Sequence, residues 1–525
     1  MKTAKIFSLG LLSICIAFFS CQQQKKKRKL NFQPTNLEAE SMIPRPLEVR
    51  ATNSAFPLDK FTYIQTSEHD KDFEQIAIFL QDKIQFKTGI ILPVNSKETK
   101  NSESIIYFEK IEDSLFNSNE AYQLKITQDS VLIKSQSAEG AFRGIQTLRQ
   151  LISEDANDTL ADHRIWLIPT GTITDRPNFK YRGAMLDVSR HFFSVEDVKK
   201  YIELLAYYKI NVLHLHLSDD QGWRIEIKSW PKLTEIGGST EVGGGPGGYY
   251  SQEDYKELVA YAKKHHITIV PEIDMPGHTN AASASYPILN GNGKEAKLYI
   301  GMNVGFSTFD TRKELVYQFI EDVVREISEI TPGPYFHIGG DESDATKKED
   351  YIYFINRIEK IVQSHGKQMI GWDEIGQANV SSNSISQFWR HKDYVNTAIS
   401  KNMKVIMSPA QYTYLDMKYD DQSKYGLKWA GYIPVDKGYR WHPENYEGIS
   451  KDHVLGVEAP LWSETITNMD ELEYLAFPRV IGYAELGWTV QENRNWEDYK
   501  KRLAKQKSFL DRMGVNYHRS PLIDW

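Results

Sequence analysis

The chain has 525 residues and a formal net charge of −7, with 25% charged and 12% aromatic residues. That length exceeds one ordinary domain and suggests two or three, fewer if one is a large barrel. The modest negative balance, without a long basic stripe in the body, argues against nucleic acid as a partner, and the many Tyr and Trp suit either a core or an enzyme that stacks sugar rings.

Residues 1–21 read as a targeting signal: Lys2 and Lys5, an uncharged apolar run over 6–19, then Ser20-Cys21. The run is short for a membrane span. Cys21 directly follows a small residue at its end, which resembles a bacterial lipoprotein signal whose cysteine is lipidated. Phe18 and Phe19 depart from the strict pattern, so plain secretion is the alternative. The expectation is a lipid-anchored protein of the cell envelope, periplasmic or on the outer membrane, touching the membrane only through Cys21. Residues 22–42, with a basic cluster over 25–29, read as a tether. The two cysteines are Cys15 and Cys21, so the mature chain has no disulfide and relies on its core.

From 43 to 174 the patterns are short and mixed. Strands are expected at 61–65 and 105–108, a helix at 73–84 and a hairpin at 122–126 with 131–134. An amphipathic helix follows at 138–152, with Phe142, Ile145, Leu148 and Leu151 at helical spacing. This order predicts an α+β domain with helices on one face of a sheet. After residue 175 the rhythm becomes strand, loop, helix. Strands are expected at 181–186, 211–217, 268–273, 335–338, 368–371, 384–388, 404–407 and 454–457. Helices are expected at 194–208, 252–265, 313–330 and 351–365. Eight alternations over this length predict a (β/α)₈ TIM barrel across 175–525, α/β in class, with its site at the C-terminal strand ends. No glycine-rich phosphate loop follows the first strand, which disfavours an open doubly wound sheet.

The most informative stretch is 335–342, an apolar run that ends in two glycines and then Asp341-Glu342. Neighbouring carboxyl groups at a strand end suit chemistry when their proton affinities are tuned apart. The plainer alternative is an N-cap for the helix after residue 350. Other groups at or just past strand ends are Arg182, Asp187 and Arg190, then His216, Asp219, Asp220 and Trp223, then Glu272, Asp274 and His278. Trp372, Asp373, Glu374, Trp389, Tyr414, Asp416, Trp462 and Glu464 complete the rim. Carboxylates, an arginine and tryptophans on one rim describe a sugar pocket. His214 and His216 alternate along a strand and His265-His266 adjoin, so neither pair makes a one-face helical zinc site. No metal and no cofactor is expected.

These stretches together carry a close resemblance. YRGAMLDVSRH at 181–191, HLHLSDDQGWR at 214–224, PEIDMPGH at 271–278 and HIGGDE at 337–342 come in that order, followed by GWDE at 371–374, YLD at 414–416 and WSE at 462–464. The chain resembles the β-N-acetylhexosaminidases of glycoside hydrolase family 20, from about residue 43 to the end. EAY at 120–122 and AEGAFRG at 138–144 are similar to the noncatalytic domain that precedes the barrel in that family. The family stands outside the usual two-carboxylate scheme and uses substrate assistance. Adjacent Asp341 and Glu342 independently suit that, because neighbours diverging from one backbone cannot easily flank one bond. The resemblance implies that Glu342 is the acid and base, that Asp341 accepts the acetamido N–H, and that Tyr414 donates to the acetamido oxygen. It further implies that Arg182, Asp416 and Glu464 hold sugar hydroxyls, that Trp372, Trp389 and Trp462 wall the pocket, and that Asp219 and His278 form a polar chain behind Glu342. Tyr412 is a near neighbour that competes with Tyr414, and for Asp373 and Glu374 a structural role is expected. The implied substrate is a glycan or chito-oligosaccharide ending in GlcNAc or GalNAc. Two rivals stay open: a catalytically silent sugar-binding lipoprotein, and a glycosidase with its own nucleophile, Glu464 or Glu374.

Overall fold

The computed structural model describes residues 34–67, 70–95, 104–112, 117–157 and 163–525. The signal and the first part of the tether lie outside the described residues. The last part of the expected tether is built into the fold: Asn36 caps a short turn over Leu37–Ala39, and Leu37 and Met42 are buried. Gln506 and Arg502 hold the carbonyls of Ser41 and Met42 at 2.8 Å each. Two apolar side chains in a polar stretch are too few for periodicity to reveal, and their burial depends on distant parts of the chain: Leu37 lies against Gly171, and Arg502 holds the Met42 carbonyl.

The first domain is a six-stranded mixed sheet in the order β1-β6-β4-β5-β3-β2. Its strands are β1 (Glu48–Leu58), β2 (Thr62–Thr66), β3 (Ser104–Lys110), β4 (Tyr122–Ile126), β5 (Ser130–Ser135) and β6 (Trp166–Asp175). Helices α1 (Lys71–Thr88) and α2 (Ala138–Leu151) pack together against it. Asp70 caps α1 and Ser137 caps α2 through side-chain oxygens, satisfying amide groups that a helix start leaves free. The expected elements are present. β1 and β6 are additional, and they pair with each other antiparallel, with an irregular register between Ala51 and Ala55. Their apolar alternation is broken by Thr, Gly and Pro, and Pro57 is tolerated because β1 is the sheet edge.

The second domain is a closed eight-stranded parallel barrel. Its strands are β7 (Tyr181–Asp187), β8 (Val212–His216), β9 (Thr268–Glu272), β10 (Tyr335–His337), β11 (Gln368–Trp372), β12 (Ile385–Phe388), β13 (Lys404–Met407) and β14 (Val454–Leu461). All eight fall where the apolar runs predict them. Helix α3 (Val195–Tyr207) shows why the intervening segments are helical. Ser194 and Asp197 form a reciprocal capping box, and Val198, Ile202 and Leu205 bury one face.

The barrel interior is layered. Tyr181, Val212, Val270, Ile370, Ile385 and Ile406 form an apolar plug. Above it is a buried polar layer: His214 bridges Glu458 at 2.9 Å and Glu272 at 3.0 Å. Glu272 also takes His216 at 2.5 Å, His337 at 3.0 Å and the Trp372 indole N–H at 3.0 Å. An aromatic layer of Trp372, Trp389, Tyr414 and Trp462 lies at the mouth. Among the described residues, no helix is long and apolar enough to cross a membrane.

Candidate active site

Strand β10 stops at His337, and the chain then turns sharply. Gly339 and Gly340 have φ of 63° and 94°, and Glu342 has φ of 43°. A Cβ on Gly339 would sit 1.9 Å from Asp274 Oδ1, so only glycine allows this close approach. The Gly340 N–H donates to that same oxygen at 3.0 Å. The next helix starts at Lys348 with Lys347 as its cap, so Asp341 and Glu342 do not cap it. Left-handed backbone at a glutamate costs of order 1–3 kcal/mol, and such strain persists where surrounding structure enforces it.

Both carboxyl groups face a pocket of about 230 Å³ at the C-terminal end of the barrel. Trp389, Tyr414 and Trp462 line its sides, and Arg190, Asp416 and Glu464 its depth. Trp389 and Tyr414 lie with their planes 9° apart, and Trp462 is tilted 6.2 Å from Tyr414. A larger cavity of about 800 Å³ near the last helices contains none of these residues. Chemistry rather than size therefore locates the site.

Several buried polar atoms around the pocket have no hydrogen-bond partner among the described residues: Asp341 Oδ1, both oxygens of Asp416, Glu464 Oε2 and His278 Nε2. Burying such groups unpaired is costly, so their concentration at one cavity points to a polyhydroxylated or amide-bearing ligand. Burial, and then the charge of Asp341, raise the Glu342 carboxyl above its ordinary range, while His278, Arg390 and Arg190 pull it down. Burial and the neighbouring Glu464 push Asp416 well up. Burial, then Asp341 and Asp416, keep the Tyr414 phenol protonated.

Behind Glu342 runs the expected polar chain. His278 Nε2 lies 3.8 Å from both Asp341 Oδ2 and Glu342 Oε2, and its Nδ1 lies 3.1 Å from Asp219 Oδ1. Burial opposes charge on His278, but Asp219, Asp274 and Asp341 outweigh it and hold the imidazole well above its ordinary range. Asp219 is held low, burial being overcome by Arg190 and His278. The chain continues through His216, 2.7 Å from Asp219, to Glu272. Trp372 lies beneath the opening, 5.8 Å from Trp462.

One expected residue is elsewhere. Arg182 is the second residue of β7 and is fully buried at the opposite end of the barrel. There it donates to Glu120 of the first domain, to the Lys209 carbonyl at 3.0 Å and to the Phe179 carbonyl at 2.9 Å. Residues at the start of a barrel strand face away from the site. The arginine in the pocket is Arg190, just past the end of β7. It pairs with Asp219 at 2.7 Å and lies 4.9 Å over the Trp462 ring. Strand-end position was the signal that distinguishes the two.

Trp429, Leu427, Arg390, Met302 and Val304 also line the pocket and were not anticipated. They sit on irregular loops without periodicity, and all but the half-buried Leu427 are exposed, Trp429 by 55%. Tyr412 packs against Trp441 and Tyr446 instead of the pocket. Asp373 accepts the backbone N–H groups of Trp389, Arg390 and His391, and Glu374 accepts the Trp389 indole N–H at 3.1 Å. Both therefore position Trp389, as a structural role requires. Five groups among the described residues lie close enough together to hold a metal, among them His214, Glu272 and His337 and, at the pocket, His278, Asp341 and Glu342; in the first of these Glu272 already bonds His216 and the Trp372 indole N–H.

The chain matches two family models: Glycosyl hydrolase family 20, catalytic domain, over residues 179–491, and Glycosyl hydrolase family 20, domain 2, over residues 39–176. It is 36% identical over 494 residues to a β-N-acetylhexosaminidase of Cellulomonas fimi, an alignment spanning 92% of this chain and 97% of that protein. A β-hexosaminidase of Porphyromonas gingivalis is 35% identical over 98% of this chain and 68% of its own length. Among solved structures, the GH20 β-N-acetylhexosaminidase from Streptomyces coelicolor superposes with a TM-score of 0.88 at 43% identity, covering 94% of this chain and all of that one. With the barrel, the accompanying sheet and a pocket built on Asp341-Glu342, the chain belongs to glycosyl hydrolase family 20.

Proposed function

We propose that this glycoside hydrolase is an exo-acting, retaining β-N-acetylhexosaminidase that releases terminal β-linked GlcNAc or GalNAc by substrate-assisted catalysis. The observation that carries this reading is the adjacency of Asp341 and Glu342 on one strained turn, with buried Asp341 Oδ1 unpartnered toward the pocket. The acetamido oxygen of the bound sugar attacks the anomeric carbon as the glycosidic C–O bond breaks. Glu342, whose proton affinity is raised by burial and by Asp341, gives its proton to the departing oxygen. Asp341 accepts the acetamido N–H and Tyr414 donates to the acetamido oxygen, stabilising the charge of the oxazolinium ion. Glu342 then takes a proton from water as its oxygen attacks the same carbon, which regenerates the acetamido group and retains configuration. Asp416, Glu464 and Arg190 hold hydroxyls in the depth of the pocket, which favours removal of one terminal residue at a time.

The test sets a stable thiazoline mimic of the oxazolinium beside a 2-fluoro glycosyl donor. Tight thiazoline binding that weakens in Asp341→Ala is expected. A covalent fluoroglycosyl adduct on Glu464, Glu374 or another carboxylate would overturn the reading. We also propose that the protein is lipid-anchored through Cys21 in a bacterial envelope, on the sequence pattern alone. Cys21→Ser should leave the membrane fraction, and unchanged membrane retention would sink that proposal.

A further inference from the structure

Arg390 takes no part in the mechanism above, yet it is firmly placed. It follows Trp389 just past β12, and its guanidinium carbon lies 4.0 Å from the Trp389 ring centroid. Its backbone N–H, with those of Trp389 and His391, is pinned to Asp373 at 2.9–3.0 Å. The side chain remains 40% exposed at the pocket opening, and its ionic contact is Glu342 Oε1 at 3.3 Å from Nη1.

The ionic part of that contact is lost when Glu342 takes up a proton, leaving a weaker hydrogen bond to a neutral oxygen. In the state that starts the reaction Glu342 carries a proton, so the guanidinium loses its counter-charge just when a glycoside is bound. Glu342 delivers its proton to the departing oxygen, which places Arg390 on the leaving-group side of the scissile bond. Arg190, the other cation of the pocket, is already paired with Asp187 and Asp219. Met302 and Val304, 53% and 43% exposed, add apolar surface to the same pocket lining.

We propose that Arg390 forms a subsite for a carboxylate carried by the sugar on the leaving side of the bond, so that the enzyme favours acidic over neutral aglycones. This rests on the assignment of Glu342 as the acid given above. A guanidinium held within 4.0 Å of an indole ring and partly open to solvent keeps N–H groups available, and arginine takes a carboxylate through two parallel hydrogen bonds. When the substrate carboxylate draws Arg390 away from Glu342, one of the cations that lowers the proton affinity of Glu342 is neutralised, and the acid is better held in its protonated form.

The probes are N,N′-diacetylchitobiose and the same disaccharide bearing a 3-O-lactyl ether on its reducing sugar, as the free acid and as the methyl ester. Acid and ester differ in charge and by one methyl group, and the salt dependence of their ratio isolates the charge. The parent enzyme should show kcat/KM about three- to tenfold higher for the acid than for the ester, a ratio that falls as salt is added. In Arg390→Gln the ratio should fall to one or below, and in Arg390→Lys it should be partly kept. Because the ratio is taken within each enzyme, a general loss of activity cancels.

A second readout uses chitobiose alone. Glu342 faces Asp341, His278, Arg190 and Arg390, and removing one of the three cations should move the alkaline limb of its pH profile upward in Arg390→Gln. A merely structural role would leave that limb in place. Equal rates on acid and ester in the parent, or a ratio unchanged by Arg390→Gln, would overturn the subsite while leaving the hexosaminidase reading intact. Failure to cleave chitobiose would remove that reading, and this one with it.

Discussion

Arg182 and Arg190 stand at opposite ends of β7, and their surroundings differ in kind. The Arg182 Nη1 donates at 2.9 Å to Glu120 and to the Phe179 carbonyl, Nε to the Lys209 carbonyl, and Nη2 to Glu120 as well, with the Trp488 ring 5.0 Å away. Glu120 also takes Arg143 at 2.8 Å, and the two guanidinium groups overcome its burial and lower its proton affinity. Arg143 Nη1 at this end lacks a partner, but around Arg190 its own Nε and nearby oxygens of Asp416, Glu464 and Asp341 are all buried without hydrogen-bond partners among the described residues. One end of the barrel uses its polar groups to join the two domains. The other holds them ready for a ligand, and this matches the division of a barrel into a stability face and a catalytic face.

If that division holds, changes at the mouth should remove rate without stability, and changes at the base should do the reverse. The largest effect is expected for Glu342→Gln. Hydrolysis of chitobiose should fall by about 10²–10⁴-fold, while an aryl glycoside with a good leaving group loses less in the first step and thermal unfolding is unmoved. At the base, Arg182→Met leaves Glu120 buried with one of its two guanidinium partners gone. It should cost about 3–5 kcal/mol in denaturant unfolding, with the KM of the folded fraction close to that of the parent. A raised KM with unchanged stability would return Arg182 to the pocket.

Asp341→Ala comes next, with a loss of about 10²–10³ in kcat, or 2.7–4 kcal/mol. Its conservative partner gives a signed test. Asp341 raises the Glu342 carboxyl, so neutralising it in Asp341→Asn should move the alkaline limb of the residual activity to lower pH. An upward shift would contradict the assignment of that limb to Glu342. The smallest effect belongs to Ser194→Ala, which removes one side of the α3 capping box. Stability should fall by about 1 kcal/mol with kcat/KM unaltered.

Much of the fold was legible in the chain itself. The eight barrel strands are short apolar runs, and the helices between them carry 3.6-residue spacing with capping residues such as Ser194 and Ser251. That information is local, contained within about ten residues, and survives without any partner. The Asp341-Glu342 pair was legible for the same reason: glycines at 339 and 340 announce a turn that a side chain could not make, and two carboxyl groups follow at once. Asp416, Glu464, Trp389, Trp462 and Tyr414 came with the strand ends.

Other features depend on groups far apart in sequence, and only the tertiary structure decided them. Leu37 and Met42 are buried by groups far along the chain, Leu37 against β1 and β6, and β1 exists because it pairs with β6 across more than one hundred residues. Which arginine enters the pocket follows from the direction of β7 in the closed barrel, and composition says nothing about direction. Arg390, Trp429, Met302 and Val304 reach the pocket on loops whose paths are set by what they pack against. A side chain's chemistry is written in its own residue, but whether it meets a ligand or a carboxylate from another domain is determined by closure of the barrel and by the surface each strand end is left facing.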